Sequence, residues 1–229
     1  GEPKSISLAI SRLNILVLKR GAVGVDLSGM SYSRFDHITV HLRQPNTSGF
    51  YGPGNANGQS PYYNVFTGCH VAGTADYVKN GCIGFDFTFD RGEQMQSANA
   101  NQVYGGHIST CQIAVRCLGV GNVFHGQVIE SGDVGYQFDL CPARKAMAQR
   151  GTVNDVVGCY TEHVRIPIEQ KHADAFVTAQ LTYVTGYERV FQAESTRNCI
   201  VLSSHYGQLP QSRSVFDRRI DVVAPAEKP

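Results

Sequence analysis

Residues 101–130 read NQVYGGHISTCQIAVRCLGVGNVFHGQVIE, and they hold one phrase twice. Asn101-x-Val103-x-Gly105-x-x-Ile108 returns as Asn122-x-Phe124-x-Gly126-x-x-Ile129. The phrase also stands upstream, as Asn64-x-Phe66-x-Gly68-x-x-Val71, and downstream, as Asn154-x-Val156-x-Gly158-x-x-Thr161. Successive Asn residues lie 37, 21 and 32 positions apart. A coil of about 21 residues, lengthened twice by loops, accounts for all three spacings. The added residues fall where composition changes, at 90–100 (DRGEQMQSANA) and 141–152 (CPARKAMAQRGT).

A second alternating run follows each of the last three phrases: Ile113/Val115, Val134/Tyr136 and Ile166/Ile168. Period-2 alternation marks strands with one buried face, so each coil supplies at least two short strands. Matched offsets put equivalent side chains above one another. The Asn residues then form an amide ladder, each donating to one neighbour and accepting from the next. The Gly allows a positive φ or a close backbone approach at a corner. The expected fold is all-β, a single-stranded right-handed parallel β-helix, with its body at 24–207. Residues 1–23 read as an N-terminal cap or first coil, and 208–229, with three prolines, as a C-terminal tail or linker. A β-sandwich or barrel needs frequent hairpin turns, and Asn57-Gly58 and Asn80-Gly81 are the only Asn-Gly pairs.

Composition narrows the function classes. A net charge of +1 argues against nucleic-acid binding, which calls for a basic surplus. No apolar run is long enough to insert in a membrane as a helix. The seven cysteines have no CxxC pair or ligand spacing, so they read as small buried side chains in a protein folded in a reducing cytosol. Residues 1–7 do not read as a signal peptide, and the chain reads equally well as a fragment of a longer protein.

Gly24-Val25-Asp26-Leu27-Ser28-Gly29, the N-x-F-x-G turns, and the acid-closed phrases Val128-Ile129-Glu130 and Tyr160-Thr161-Glu162 resemble the pectate-lyase-like β-helix superfamily. The likeness spans about residues 20–205 and is greatest to phage tailspikes and bacterial polysaccharide-processing members. It implies polysaccharide binding or cleavage on the outer wall, a homotrimer, and a virion or extracellular location. It implies no cofactor, and no run of Asp here matches the calcium cluster of true pectate lyases.

Glu130 and Glu162 each lie eight residues after their Asn. In adjacent coils they stack at the strand spacing of about 4.8 Å, near the roughly 5 to 5.5 Å of a retaining glycosidase pair. Two carboxylates this close do not both ionise cheaply, which separates an acid from a base. The competing reading is a repeated corner Glu that accepts backbone N–H groups or reaches solvent. Asp133 and Arg165 share a register and are candidate substrate-binding residues, with a stacked salt bridge between them as the competing reading. Tyr104 and His125 form a polar-aromatic strip suited to a sugar ring. The loop at 45–63 brings Phe50, Tyr51, Tyr62 and Tyr63 as candidate sugar-stacking aromatics, or as pins to the wall or a neighbouring subunit. His70 and His107 share a register, but with no third ligand no metal site is expected. Three functions stay open: a polysaccharide-recognising glycosidase, a non-catalytic structural or receptor-binding module, and a polysaccharide lyase with Arg165 or Tyr160 at hand.

Overall fold

The computed structural model describes residues 7–54, 60–88, 98–141 and 152–192, with the backbone of 199–202 and 221–222. Among them every regular element is a strand. The first coil holds β1 (Ala9–Ser11), β2 (Asn14–Val17) and β3 (Val23–Asp26). The next holds β4 (Arg34–Asp36), β5 (Thr39–Leu42) and β6 (Ser48–Tyr51). Two more follow the same plan: β7 (Val65–Thr67), β8 (His70–Ala72) and β9 (Ile83–Phe87), then β10 (Gln102–Tyr104), β11 (His107–Ser109) and β12 (Ile113–Cys117). After β13 (Val123–His125) the corners straighten. β14 (Val128–Phe138) runs through two strand positions and β15 (Thr152–Gln170) through all three. β16 (Ala175–Thr185), β17 (Phe191–Gln192), β18 (Cys199–Leu202) and β19 (Asp221–Val222) complete the order.

All pairings are parallel, and each strand pairs with its counterpart one coil away, an arrangement compatible with a β-helix solenoid. Three ladders result, each with one residue column turned inward. The first stacks Phe35, Phe66, Val103, Phe124, Val156 and Ala179. The second stacks Val40, Val71, Ile108, Ile129, Thr161 and Val184. The third stacks Phe50, Phe85, Val115, Tyr136, Ile168 and Phe191. All are buried. Phe35 lies flat on Phe66 at 4.8 Å and Phe50 on Phe85 at 4.5 Å, while Phe66 meets both third-ladder rings edge-on across the interior. Burying each phenyl ring contributes about 2–3 kcal/mol. Phe50 is thus a core residue and not a sugar-stacking aromatic of the wall: alternation along β6 turns it inward, at 0% exposure.

Asn64, Asn101, Asn122 and Asn154 stand in one buried column just before the first ladder. The Nδ2 of each of the first three donates to Oδ1 of the next, at 3.0, 3.0 and 3.1 Å. The same Oδ1 accepts the backbone N–H of the preceding Asn, at 3.1, 3.0 and 3.0 Å. Each Nδ2 also donates to a turn carbonyl: Met30, Pro61, Ala98 or Gly119. One side chain therefore satisfies groups in two coils, which a buried turn requires.

After the first ladder the backbone enters the left-handed region at Gly68, Gly105, Gly126 and Gly158, with φ between 57° and 64°. Arg12 and His37 hold the same corner in the first two coils, where a side chain costs about 1 kcal/mol. A second small-residue column escaped the sequence reading. A Cβ on Gly49 would lie 2.6 Å from Gly84 O and 2.8 Å from a Val71 methyl, and one on Gly84 would lie 2.7 Å from Ile108 Cγ2. Glycine there lets the third ladder close against the second.

Six cysteines, at 69, 82, 111, 117, 141 and 159, are free and buried. Burial pushes the Cys69 thiol up to about 11 and Cys117 up to about 12, so neither is a thiolate at neutral pH. The inserts expected at 90–100 and 141–152 lie mostly outside the described residues, as does the tail at 208–229 apart from the β19 backbone. No helix among the described residues is long and apolar enough to cross a membrane.

Asn122→Ala strips the acceptor from two buried donors of Asn101 and should lower unfolding free energy by about 3 kcal/mol. Gly126→Ala meets nothing within 4 Å and should lose only about 1–2 kcal/mol from backbone strain. Urea denaturation of both variants checks the ranking, and a milder loss at Asn122 than at Gly126 would count against the ladder.

Candidate functional site

The outward positions of the second ladder carry a run of ionisable side chains. One outer column runs His70, His107, Val128, Tyr160, Tyr183; its neighbour runs Ala72, Ser109, Glu130, Glu162, Thr185. Glu130 and Glu162 are direct register partners, so their backbones lie one strand spacing apart, about 4.8 Å. Both side chains are partly exposed, at 41% and 30%.

Each carboxylate has its own partner. His107 Nε2 lies 3.1 Å from Glu130 Oε2, a diagonal contact between adjacent coils. Tyr160 Oη donates to Glu162 Oε2 within one strand, and His163 Nδ1 stands 3.9 Å from Glu162 Oε1. The hydrogen bond to Glu162, aided by burial and the charge of Glu162, pushes the Tyr160 phenol well above its usual value. Tyr160 is therefore a proton donor at neutral pH. Its ring lies flat against Tyr183 at 4.5 Å. His107 meets His70 edge-on, with ring centres 6.4 Å apart. Burial, then the neighbouring imidazoles of His107 and His37, lowers the His70 pKa from its ordinary 6.5.

Around the next corner Arg165 Nε donates to Asp133 Oδ1 at 2.5 Å, and Nη1 reaches Glu188 Oε2 at 3.3 Å. The bond to Asp133 raises the Arg165 pKa and fixes its guanidinium. Since Arg165 and Glu188 are well exposed, the cluster contributes at most about 1 kcal/mol. On the first ladder Tyr104 and His125 are register partners with ring centres 5.9 Å apart, and Tyr104 Oη donates to Gln102 Oε1. They adjoin the glutamate wall across the Gly105–Gly126 corner.

The loop aromatics do not converge on that wall. Tyr51 is half-buried on the third ladder, in register with Asp86 and Arg116. Tyr62 bridges Ser31 and Asn99 at the corner before the first ladder, and Tyr63 beside it stacks on Tyr32. The third ladder's outer strip is largely self-satisfied. Arg116 binds the nearly buried Asp86 through Nε and Nη2, at 2.7 and 2.6 Å. Gln137 and Lys171 hold Glu169 at 2.7 and 2.8 Å. Among the described residues no three His, Cys, Asp or Glu side chains form a group able to hold a metal ion.

Sequence reasoning missed His107 as the partner of Glu130, Tyr160 as the donor to Glu162, and both Tyr183 and Tyr32. The first two signals were present: His107 and Glu130 follow their Asn by six and eight, as Tyr160 and Glu162 do.

A His whose pKa falls on folding binds its proton more readily in the unfolded chain. This destabilising contribution is complete below the folded pKa and disappears as pH rises to about 6.5. The His70 ring proton should titrate by NMR with a midpoint below 6.5, and His70→Gln should flatten the rise in urea midpoint over that window. A His70 midpoint above 6.5 would reverse the sign and refute the account.

Compared with known proteins, no family model, no curated sequence and no solved structure matches this chain, and its function is read from its own residues.

Proposed function

We propose that the chain is a right-handed β-helix of the pectate-lyase-like kind that recognises a polysaccharide on its second-ladder wall and hydrolyses it with Glu130 and Glu162. Parallel strands joined by crossovers are right-handed in about 98% of cases, which supports the hand. The observation that carries the chemistry is the direct backbone register of Glu130 and Glu162, whose carboxylates each have their own partner. Backbones one strand spacing apart, about 4.8 Å, put the roughly 5 to 5.5 Å between the carboxyl groups of a retaining pair within side-chain reach.

In this reading Glu130, beside the His107 imidazole, attacks the anomeric carbon. Glu162, with Oε2 still accepting from Tyr160, takes up a solvent proton on Oε1 as the glycan docks and passes it to the leaving oxygen. A water deprotonated by Glu162 then displaces Glu130 from the anomeric carbon. Tyr104 and His125 border the same wall and offer ring faces to the glycan. Elimination receives less support. A lyase needs a base, whereas Tyr160 holds its proton tightly and Arg165 is tied to Asp133.

A second reading, a non-catalytic assembly or receptor-binding module, draws on the first coil. There β1, β2 and β3 each pair on one side only among the described residues, and Leu13, Leu16 and Leu18 are 45%, 57% and 68% exposed. Such an edge suits continued stacking or subunit contact. A homotrimer in a virion or at a cell surface accords with either reading, and a monomer by light scattering would exclude it.

Incubation with a panel of bacterial surface polysaccharides separates the readings. Hydrolysis yields new reducing ends, a lyase yields 4,5-unsaturated ends, and a structural module yields neither. Glu130→Gln and Glu162→Gln should each slow release of reducing ends about a thousandfold, with unchanged urea midpoints. Full cleavage by the double variant would overturn the assignment.

A further inference from the structure

The corner before the first ladder carries a feature that the glutamate wall does not use. Tyr32, Tyr63, Ala100 and Gly121 immediately precede Ser33, Asn64, Asn101 and Asn122, so the amide ladder holds them in one vertical column. All four adopt the left-handed conformation, with φ of 55°, 53°, 53° and 67°. Gly and Ala suffice for this corner in two coils, yet the other two place tyrosines there. A bulky side chain is strained at such a φ, and these rings gain little burial in return, being 67% and 51% exposed.

The two rings lie nearly parallel, 15° apart, with centres 5.2 Å apart. Tyr32 covers one face of Tyr63. Towards the next coil the ladder of rings stops, because Ala100 offers a methyl group and Gly121 offers nothing. Val153, one coil further on, is again exposed. The column thus steps down beyond Tyr63 to a notch over Ala100 and Gly121, where no atom lies closer than 3.6 Å to the place of a Gly121 Cβ. Asn99, half-buried, sets its Oδ1 3.6 Å from where a Gly121 Cβ would stand, which gives the floor a polar group.

We infer that this notch is a glycan subsite in which an uncharged pyranose ring stacks on Tyr63 above Ala100 and Gly121, with a hydroxyl on the Asn99 amide. The ring continues the Tyr32–Tyr63 stack by one coil step. That step, about 4.8 Å, accommodates any ring laid on Tyr63, as Phe35 on Phe66 shows, and the Asn99 amide beside it favours one that carries hydroxyls. The ligand class rests on the carbohydrate reading above. The subsite itself does not require cleavage, since it lies on a different corner from Glu130 and Glu162.

The test uses the whole chain carrying Glu130→Gln and Glu162→Gln, so that binding is read without turnover. Saturation-transfer NMR is recorded with cellohexaose, maltohexaose, laminarihexaose and chitohexaose, and with indole as a flat aromatic control. The expected result is transfer to the pyranose C–H protons of at least one hexaose, with affinity at least tenfold weaker in Tyr63→Gly. That substitution relieves the strained φ, so its urea midpoint should hold or rise and the loss is not one of folding. Ala100→Tyr fills the notch with a ring of the chain itself and should weaken binding to the same degree. No transfer to any hexaose, transfer undiminished in Tyr63→Gly, or transfer to indole alone would overturn the subsite. Full cleavage by the double glutamate variant with none of these outcomes would sink the glutamate assignment and leave the subsite standing, so the two readings fail separately.

Discussion

Amide-to-amide hydrogen bonding along a buried column fixes the register on which the rest of the molecule depends. Parallel stacking alone does not choose a register, because backbone groups along a strand are chemically alike. A shift by one residue would turn Phe66 and Phe124 to solvent and draw Thr67 and His125 inside. The Asn column selects against that shift, since each Oδ1 accepts two N–H groups and each Nδ2 finds a turn carbonyl only in the observed register. Asn154 ends the column: the next coil has Val177 at that position, and the corners around it have straightened into the long strands β15 and β16.

This explains what could be read from the sequence. The four Asn–Gly phrases sit at fixed local offsets, so chain order alone displays the first two ladders and the corner between them. The first two coils carry the same geometry in different residues. Ser33 replaces Asn in the column, its backbone N–H donating to Asn64 Oδ1, and Arg12 and His37 hold the left-handed corner. No motif search finds a corner whose backbone is conserved in geometry but not in residue type. Phe50 was misplaced for a related reason. Within an apparent loop its alternation is set by β9 one coil away, through Phe85, and not by its neighbours in the chain. The small column of Gly49 and Gly84 was hidden likewise, since its steric partners Val71 and Ile108 lie on another ladder.

The glutamate pair was legible because it shares an offset, whereas the contacts that define its chemistry were only half so. His107 reaches Glu130 diagonally from the preceding coil, which depends on a coil of 21 residues with no insert between them. Tyr160 reaches Glu162 along one strand, on a face that alternation identifies once the strand is known. Whether such side chains meet follows from rotamers and from which corner bends, and offsets in the sequence do not encode either.

Parallel registry has a further chemical consequence. A repeat in exact step stacks like on like: Glu on Glu, Tyr on Tyr, His on His. For aromatic rings this contributes contact, and for amides it contributes hydrogen bonds, but for carboxylates and imidazoles it brings like charges together. On the buried faces of the ladders the stacked groups are uncharged and the amide column is self-satisfying. Outside, the charged column is tolerable only where neighbouring columns bring opposite or donating groups, as His107 and Tyr160 do for the two glutamates. Asp86 with Arg116, and Glu169 with Gln137 and Lys171, show the quiet solution, in which the partner saturates both carboxylate oxygens. Glu130 and Glu162 keep an oxygen less fully engaged and remain open to solvent, which distinguishes them chemically from Asp86 and Glu169.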